Sequence, residues 1–249
     1  MPPRIAIPMP HSSNHEYGQR AIPKYERAVE LAGGVPVRIP LDQALAEVKK
    51  MVQTCNAVLL PGSNADVDPG KFRQPASQHT AAADARREEV DFLLLDYAYS
   101  RRKPVLGICY GLQSLNVYCQ GSLIQHIPDF LPENARNKVD HEAGKNVAIA
   151  HTVEIERDSK LGQILGNLVP ANGGVSKMIV PVNSSHHQSA DAIGETLRLV
   201  ARCPADGIIE ALEGRSPDHF VLAVQWHPER SDQDEHSRAI FRALVKAAK

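Results

Sequence analysis

The sequence predicts an α/β sandwich, a mostly parallel central sheet with helices on both faces and antiparallel strands added at one edge. Three observations predict it. Short apolar runs alternate with longer amphipathic segments, so the first half reads strand then helix four times over. The second half is richer in strands and turns. The chain has 249 residues, 43% of them hydrophobic and 23% charged, which suits a soluble domain with a sizeable core. With no internal repeat, low-complexity tract or flexible linker, residues 1–249 read as a single domain.

The elements follow in order. A first strand at 4–8 leads to a helix at 17–31, which Gly33-Gly34 stops. A strand at 35–39 precedes a helix at 41–53, and a strand at 57–60 precedes a helix at 83–101. The fourth strand, 104–108, runs directly into a helix at 110–120. Further strands are expected at 178–182, 197–201, 207–212 and 220–225, before a closing helix at 234–248. Proline and glycine cluster at 128–132 and 170–174, where surface loops are expected.

Composition narrows the function. The 28 basic and 29 acidic side chains give a net charge of -1, which points away from nucleic acid and anionic membrane surfaces. No apolar run approaches the roughly 18 residues of a membrane span, and the N-terminus lacks a signal-peptide core. A cytoplasmic, reduced protein is the expectation. None of the four cysteines, Cys55, Cys109, Cys119 and Cys203, stands in a C-x-x-C pair, so a zinc site of that spacing is not expected.

Chemistry concentrates at Cys109. The apolar run from Pro104 ends there, a helical pattern starts at once, and Gly107 and Gly111 flank it two residues away on either side. This G-x-C-x-G between strand and helix has the layout of a nucleophile elbow, which presents its central residue at the carboxyl end of a sheet. Glycines suit a turn where backbone approaches backbone. The helix that follows aims free N–H groups at the sulfur and favours the thiolate. Leu112, Leu115 and Cys119 share a buried stripe of that helix, and Cys55, Cys119 and Cys203 read as structural.

A thiolate nucleophile needs a group to protonate its leaving amine. Among 11 histidines, His227 is singled out by position, because the apolar run from Phe220 ends on it. Glu229 lies two residues on, where extended backbone would place both side chains on one side. Pro228 restricts His227 to extended conformations. Together they read as Cys109-His227-Glu229 in triad logic. The adjacent His186 and His187 point apart on extended backbone, so a metal shared between them is not expected.

Gly107-Ile-Cys-Tyr-Gly-Leu-Gln113 and Gln225-Trp-His-Pro-Glu229 resemble the class I glutamine amidotransferase superfamily. The loop from Leu60 to Pro69, Val182-Asn-Ser-Ser-His-His-Gln188 and Asp206-Gly-Ile-Ile-Glu-Ala-Leu-Glu213 resemble its gamma-glutamyl hydrolase branch, which includes bacterial gamma-glutamyl-gamma-aminobutyrate hydrolases. The resemblance implies a flavodoxin-like three-layer sandwich, with Cys109 as nucleophile, His227 as base and acid, and Glu229 as orienter. It implies an oxyanion hole from backbone N–H groups of Gly62, Ser63 and Tyr110. Gln113, Ser185, His186 and His187 would line the substrate pocket. The substrate would be a small gamma-glutamyl compound, cleaved through a glutamyl thioester with no cofactor and no metal.

The residues that bind the substrate's α-amino and α-carboxylate ends are not identified by the sequence; Asp66, Asp68, Arg136 and Glu210 are candidates, none singled out, against the ordinary reading of such charges as solvated surface groups. The hydrolase branch usually carries Arg where this chain has Tyr110, a residue more familiar from glutaminase domains, and its side chain is expected at the pocket mouth. Gln120-Gly-Ser-Leu123 replaces the usual Gly-Gly-Thr-Leu, and Ser63 stands where a second glycine is common. Two rival readings share the fold: a glutaminase subunit passing ammonia to a synthetase partner, and a non-catalytic sensor. Whether the chain forms a homodimer is left open by the sequence.

Overall fold

The structure is a computed structural model and describes residues 1–136, 138–169, 176–231 and 233–249. The loop expected at 170–174 lies outside the described residues. Nine described strands make one sheet. Across it run Val35–Ile39 (β2), Arg4–Pro8 (β1), Ala57–Leu60 (β3), Val105–Ile108 (β4), Val221–Val224 (β11), Ile209–Gly214 (β10), Leu197–Arg202 (β9), His151–Glu156 (β6) and Lys177–Val182 (β7). The first five are mutually parallel, and every pairing from β11 to β7 is antiparallel. Leu123–Ile124 (β5) and Ser189–Ala190 (β8) form a separate two-stranded pair.

Alternation along the central strands builds two cores, one on each face of the sheet. On one face Ile5, Ile7, Leu59 and Ile108 pack against His15–Leu31 (α1), Lys160–Leu165 (α6) and Glu235–Ala247 (α7). On the other, Ala6, Val58, Leu60 and Val105 pack against Leu45–Gln53 (α2), Ala85–Arg101 (α3) and Tyr110–Tyr118 (α4). Each fully buried Leu, Ile or Val contributes about 1.5–3 kcal/mol relative to exposure.

Side-chain caps set where several helices begin. Asn14 Oδ1 accepts from Tyr17 N–H (3.1 Å), so α1 starts at His15 rather than at 17. Asp84 accepts from Arg87 N–H (3.0 Å) at the start of α3, and Asp234 accepts from Ser237 N–H (2.9 Å) at the start of α7. Helix α2 starts at Leu45, later than the expected 41, and Leu41 is buried in the loop before it. Strand β10 starts at Ile209 rather than 207, because Gly207 holds a left-handed turn (φ 80°) ahead of it. The expected loop at 128–132 instead opens within a short helix, Ile127–Phe130 (α5), that carries Pro128 in its first turn. The sequence reading also missed β6, although His-Thr-Val-Glu-Ile-Glu buries Val153 and Ile155 in strict alternation.

The topology explains where a site can form. Strands β3, β4 and β11 end on the same edge of the sheet. Four successive antiparallel steps bring the end of β7 back to that edge too. The segments following these strands, from 61, 109, 183 and 225, therefore gather in one place.

Candidate active site

Cys109 sits between β4 and α4 with φ 54° and ψ −108°, a backbone state that non-glycine residues rarely adopt. The chain around it is too close-packed for side chains. A Cβ on Gly111 would lie 2.2 Å from the Leu60 carbonyl oxygen, and one on Gly107 would lie 2.7 Å from the Gly111 oxygen. Both glycines thus fit the elbow that the spacing predicts. Cys109 N–H donates to the Val224 carbonyl (2.9 Å), tying the turn to β11. Helix α4 is buried on all sides from Tyr110 to Val117, well beyond the single stripe expected.

His227 and Glu229 come together as expected, but by a different backbone path. Pro228–Arg230 form a 3₁₀ turn instead of extended chain, and this turn swings the Glu229 carboxylate under the ring. Glu229 Oε1 lies 2.8 Å from His227 Nδ1, and since a carboxylate only accepts, Nδ1–H is the donor. Nε2 is then the nitrogen left for chemistry, and it is buried with no hydrogen-bond partner among the described residues. An atom built on Gly62 would sit 3.2 Å from the His227 ring and 3.6 Å from the Cys109 Cβ, so the three residues meet at one point.

Electrostatics favour a protonated imidazole. Burial opposes the charged ring, but Glu229 and Cys109 outweigh it and raise the His227 pKa to about 9. Burial likewise works against the Glu229 carboxylate, and His227 followed by Arg230 overcomes it, leaving its pKa below the usual value.

Asn183 clamps the histidine and was not among the expected site residues. Its Nδ2 donates to the His227 carbonyl and its Oδ1 accepts from the His227 N–H, both at 2.9 Å. The expected oxyanion donors divide. Gly62 N–H is already engaged, donating to the Tyr25 hydroxyl (3.0 Å), so Gly62 departs from its expected role. The Ser63 and Tyr110 amides have no hydrogen-bond partner among the described residues. Helix α1 also brings Tyr17 to the site, with its phenol pKa raised to about 12 by burial and then by Cys109 and Glu229. Nothing in the sequence marked these two tyrosines, since both fall on an ordinary amphipathic helix.

An open cleft joins these groups, and Ser185, His186, His187 and Gln113 all reach its wall. Their polar atoms are not equally available. Gln113 Nε2 donates to the Gln188 carbonyl (3.2 Å). His186 Nδ1 meets the Gln188 carbonyl (2.8 Å), and its Nε2 turns toward Glu210. His187 Nε2 lies 3.0 Å from Asp66 Oδ1. The two histidines therefore diverge, as alternation along the chain requires.

Tyr110 corrects another expectation. Its ring is 1% exposed and lies 4.9 Å from the Arg87 guanidinium, so its side chain does not face the mouth. Of the further polar groups expected near substrate, Asp66 lines the cleft. Asp68 caps the 3₁₀ turn Pro69–Phe72, Arg136 donates to the Leu131 carbonyl, and Glu210 is buried among histidines outside the cleft.

Comparison with known proteins shows the family and the fold. Residues 5–229 match the family model of Peptidase C26. A Rickettsia prowazekii protein named as glutamine amidotransferase-like is 31% identical over 260 residues, covering 90% of this chain and 88% of its own. The gamma-glutamyl-gamma-aminobutyrate hydrolase of Escherichia coli K12 is 33% identical over 230 residues, covering 90% and 84%. Among solved structures, a chain described as a GMP synthase subunit from Thermoplasma acidophilum superposes with a TM-score of 0.59 at 14% identity, covering 100% of this chain and 94% of that one. A PurLQS structure from Thermotoga maritima gives a TM-score of 0.60 at 18% identity, covering 100% of both chains. Likeness at such identities shows the fold, the flavodoxin-like sandwich with antiparallel strands at one edge.

Proposed function

The chain belongs to the Peptidase C26 family of class I glutamine amidotransferase-like hydrolases, and from that premise we propose that it cleaves the amide bond of a gamma-glutamyl compound through Cys109. The observation that carries this reading is the meeting of three groups in one cleft: a cysteine on a glycine-flanked turn, a histidine with its Nε2 unengaged, and a glutamate fixing that histidine's tautomer.

The cycle is as follows. The Cys109 thiolate attacks the δ-carbonyl carbon, and the developing oxyanion is met by the Ser63 and Tyr110 amides. Donors placed in this way are worth about 3–4 kcal/mol of barrier each. Protonated His227 gives its proton to the departing nitrogen, leaving glutamate bound to Cys109 as a thioester. Neutral His227 then takes a proton from water, the hydroxyl adds to the thioester carbonyl, and glutamate leaves with Cys109 restored as thiolate. Glu229 keeps Nε2 facing the reaction throughout, and Asn183 holds the His227 backbone. The substrate's charged ends find matching groups: Arg20 and Lys24 on the cleft wall for the α-carboxylate, Asp66 and Glu142 for the α-ammonium.

A glutaminase that hands ammonia to a synthetase would use the same three residues, and Tyr110 after the nucleophile resembles that group. The experiment that separates the readings follows glutamate release by the purified chain alone from a panel of gamma-glutamyl amides, glutamine included. Independent hydrolysis predicts turnover that Cys109→Ala abolishes. Glutamine turnover only after a synthetase is added would overturn it in favour of the ammonia-donating reading. A sensor would turn over nothing in either case.

A further inference from the structure

Beside the cleft, on the same edge of the sheet, lies a second group of polar side chains that the proposed reaction does not use. His151 opens β6, Glu210 stands near the start of β10, His186 follows β7, and His141 lies in the loop after α5. Four segments spread from residue 141 to residue 210 thus deliver three imidazoles and one carboxylate to one place. His141 and His186 are each 4% exposed and Glu210 is 0% exposed.

Tautomers decide what this place can hold. His141 Nε2 lies 2.8 Å from Asp206 Oδ2, His151 Nδ1 lies 3.1 Å from the Thr152 carbonyl, and His186 Nδ1 lies 2.8 Å from the Gln188 carbonyl. Each of these partners accepts only, so each ring spends its N–H outward. The inward nitrogens, His141 Nδ1, His151 Nε2 and His186 Nε2, therefore carry lone pairs in the neutral rings. They face Glu210 Oε1 at 3.2, 3.4 and 3.5 Å, and none of these atoms makes a hydrogen bond among the described residues. Four acceptors converging in a buried space repel one another unless a cation, either a shared proton or a metal ion, stands between them.

We propose that His141, His151, His186 and Glu210 bind a divalent transition-metal ion, with zinc the best fit. Three imidazole nitrogens and one carboxylate oxygen are a borderline donor set suited to Zn²⁺. Zinc bonds these atoms at about 2.0–2.2 Å, and a tetrahedron of that size separates its corners by roughly 3.3–3.5 Å. Two of the three nitrogen–Glu210 distances, 3.4 and 3.5 Å, fall on that range and the third is 3.2 Å, and all four donor atoms lie within 4.8 Å of one another. The outer partners are of the kind that orient metal-bound histidines, a carboxylate on one ring and backbone carbonyls on the others. The Cys203 thiol interacts with His141 and His151, and Asp206 with His141, so these two stand behind the ligands.

Four protein donors leave no open position, so the ion is structural. It ties the 141–144 loop and strands β6 and β10 to the segment carrying Asn183 and His187. That segment is already bound to the loop, because His186 N–H and the Ser184 hydroxyl both donate to the His141 carbonyl (3.0 and 2.9 Å). The inference does not depend on the proposed reaction.

The test measures metal in protein purified from zinc-supplemented culture and dialysed. About one zinc per chain is expected in wild type and in Cys109→Ala, falling more than about tenfold in His151→Ala and Glu210→Gln. For the wild type alone, a chelator should lower the melting temperature and added Zn²⁺ restore it, and Co²⁺ should give tetrahedral visible absorption. A wild type that holds less than a tenth of an equivalent of metal, and shows neither the melting response nor the cobalt spectrum, overturns the proposal. So does metal that is lost with Cys109→Ala and kept in His151→Ala.

Discussion

His227 is held protonated by its neighbours. Its pKa stands near 9 because Glu229 and Cys109 outweigh burial, so the ring is protonated at neutral pH and loses its proton as pH rises through that value. Turnover limited by proton donation to the amine should then persist to about pH 9 and fall above it. Glu229→Gln removes a charge that raises the pKa, so the alkaline limb should move to lower pH and kcat should drop at least about tenfold. A pH–rate profile of the variant checks both, and an unmoved limb would separate Glu229 from His227 function. Tyr110 gives a contrasting case. Its hydroxyl is buried with no partner among the described residues, so Tyr110→Phe should leave stability unchanged or raise it by up to about 1 kcal/mol in urea unfolding. A clear loss of stability would mean that the hydroxyl is held by a group it does not contact here.

At the scale of elements, the elbow is the least tolerant part of the fold. Gly111→Ala would force a methyl to 2.2 Å from the Leu60 oxygen, and should cost about 3 kcal/mol or more of unfolding free energy. Gly33→Ala meets nothing within 4 Å and bears only the strain of its φ of 86°, about 1 kcal/mol. Comparing the two unfolding midpoints separates steric contact from backbone preference. The elbow was legible in sequence because local spacing alone produces it. So was the pairing of His227 with Glu229, although a 3₁₀ turn and not extended chain makes the contact. Asn183, Tyr17 and Tyr25 were not legible, since each acts across long sequence separations, such as the 44 residues between Asn183 and His227. The same holds for the His141–His151–His186–Glu210 group, where only adjacent histidines invited scrutiny and distant ones converge.

The whole molecule places its chemistry by strand direction. Parallel strands β3, β4 and β11 deliver the Gly62 loop, Cys109 and His227 to one edge, and the antiparallel run to β7 returns Asn183 and His187 to it. The alternation of strands and helices was enough to predict this sandwich, while the order of the antiparallel strands was not, because β6 went unread. The reaction proposed for this edge is covalent catalysis at Cys109. Acid quenching of the chain during turnover of a gamma-glutamyl amide, followed by intact and peptide mass spectrometry, tests it most directly. The expected result is a glutamyl group attached at Cys109 in the wild type, diminished in variants of His227, which cannot protonate the departing amine, and absent in Cys109→Ala. Glutamate release by Cys109→Ala at the wild-type rate, with no adduct on any residue, would contradict it.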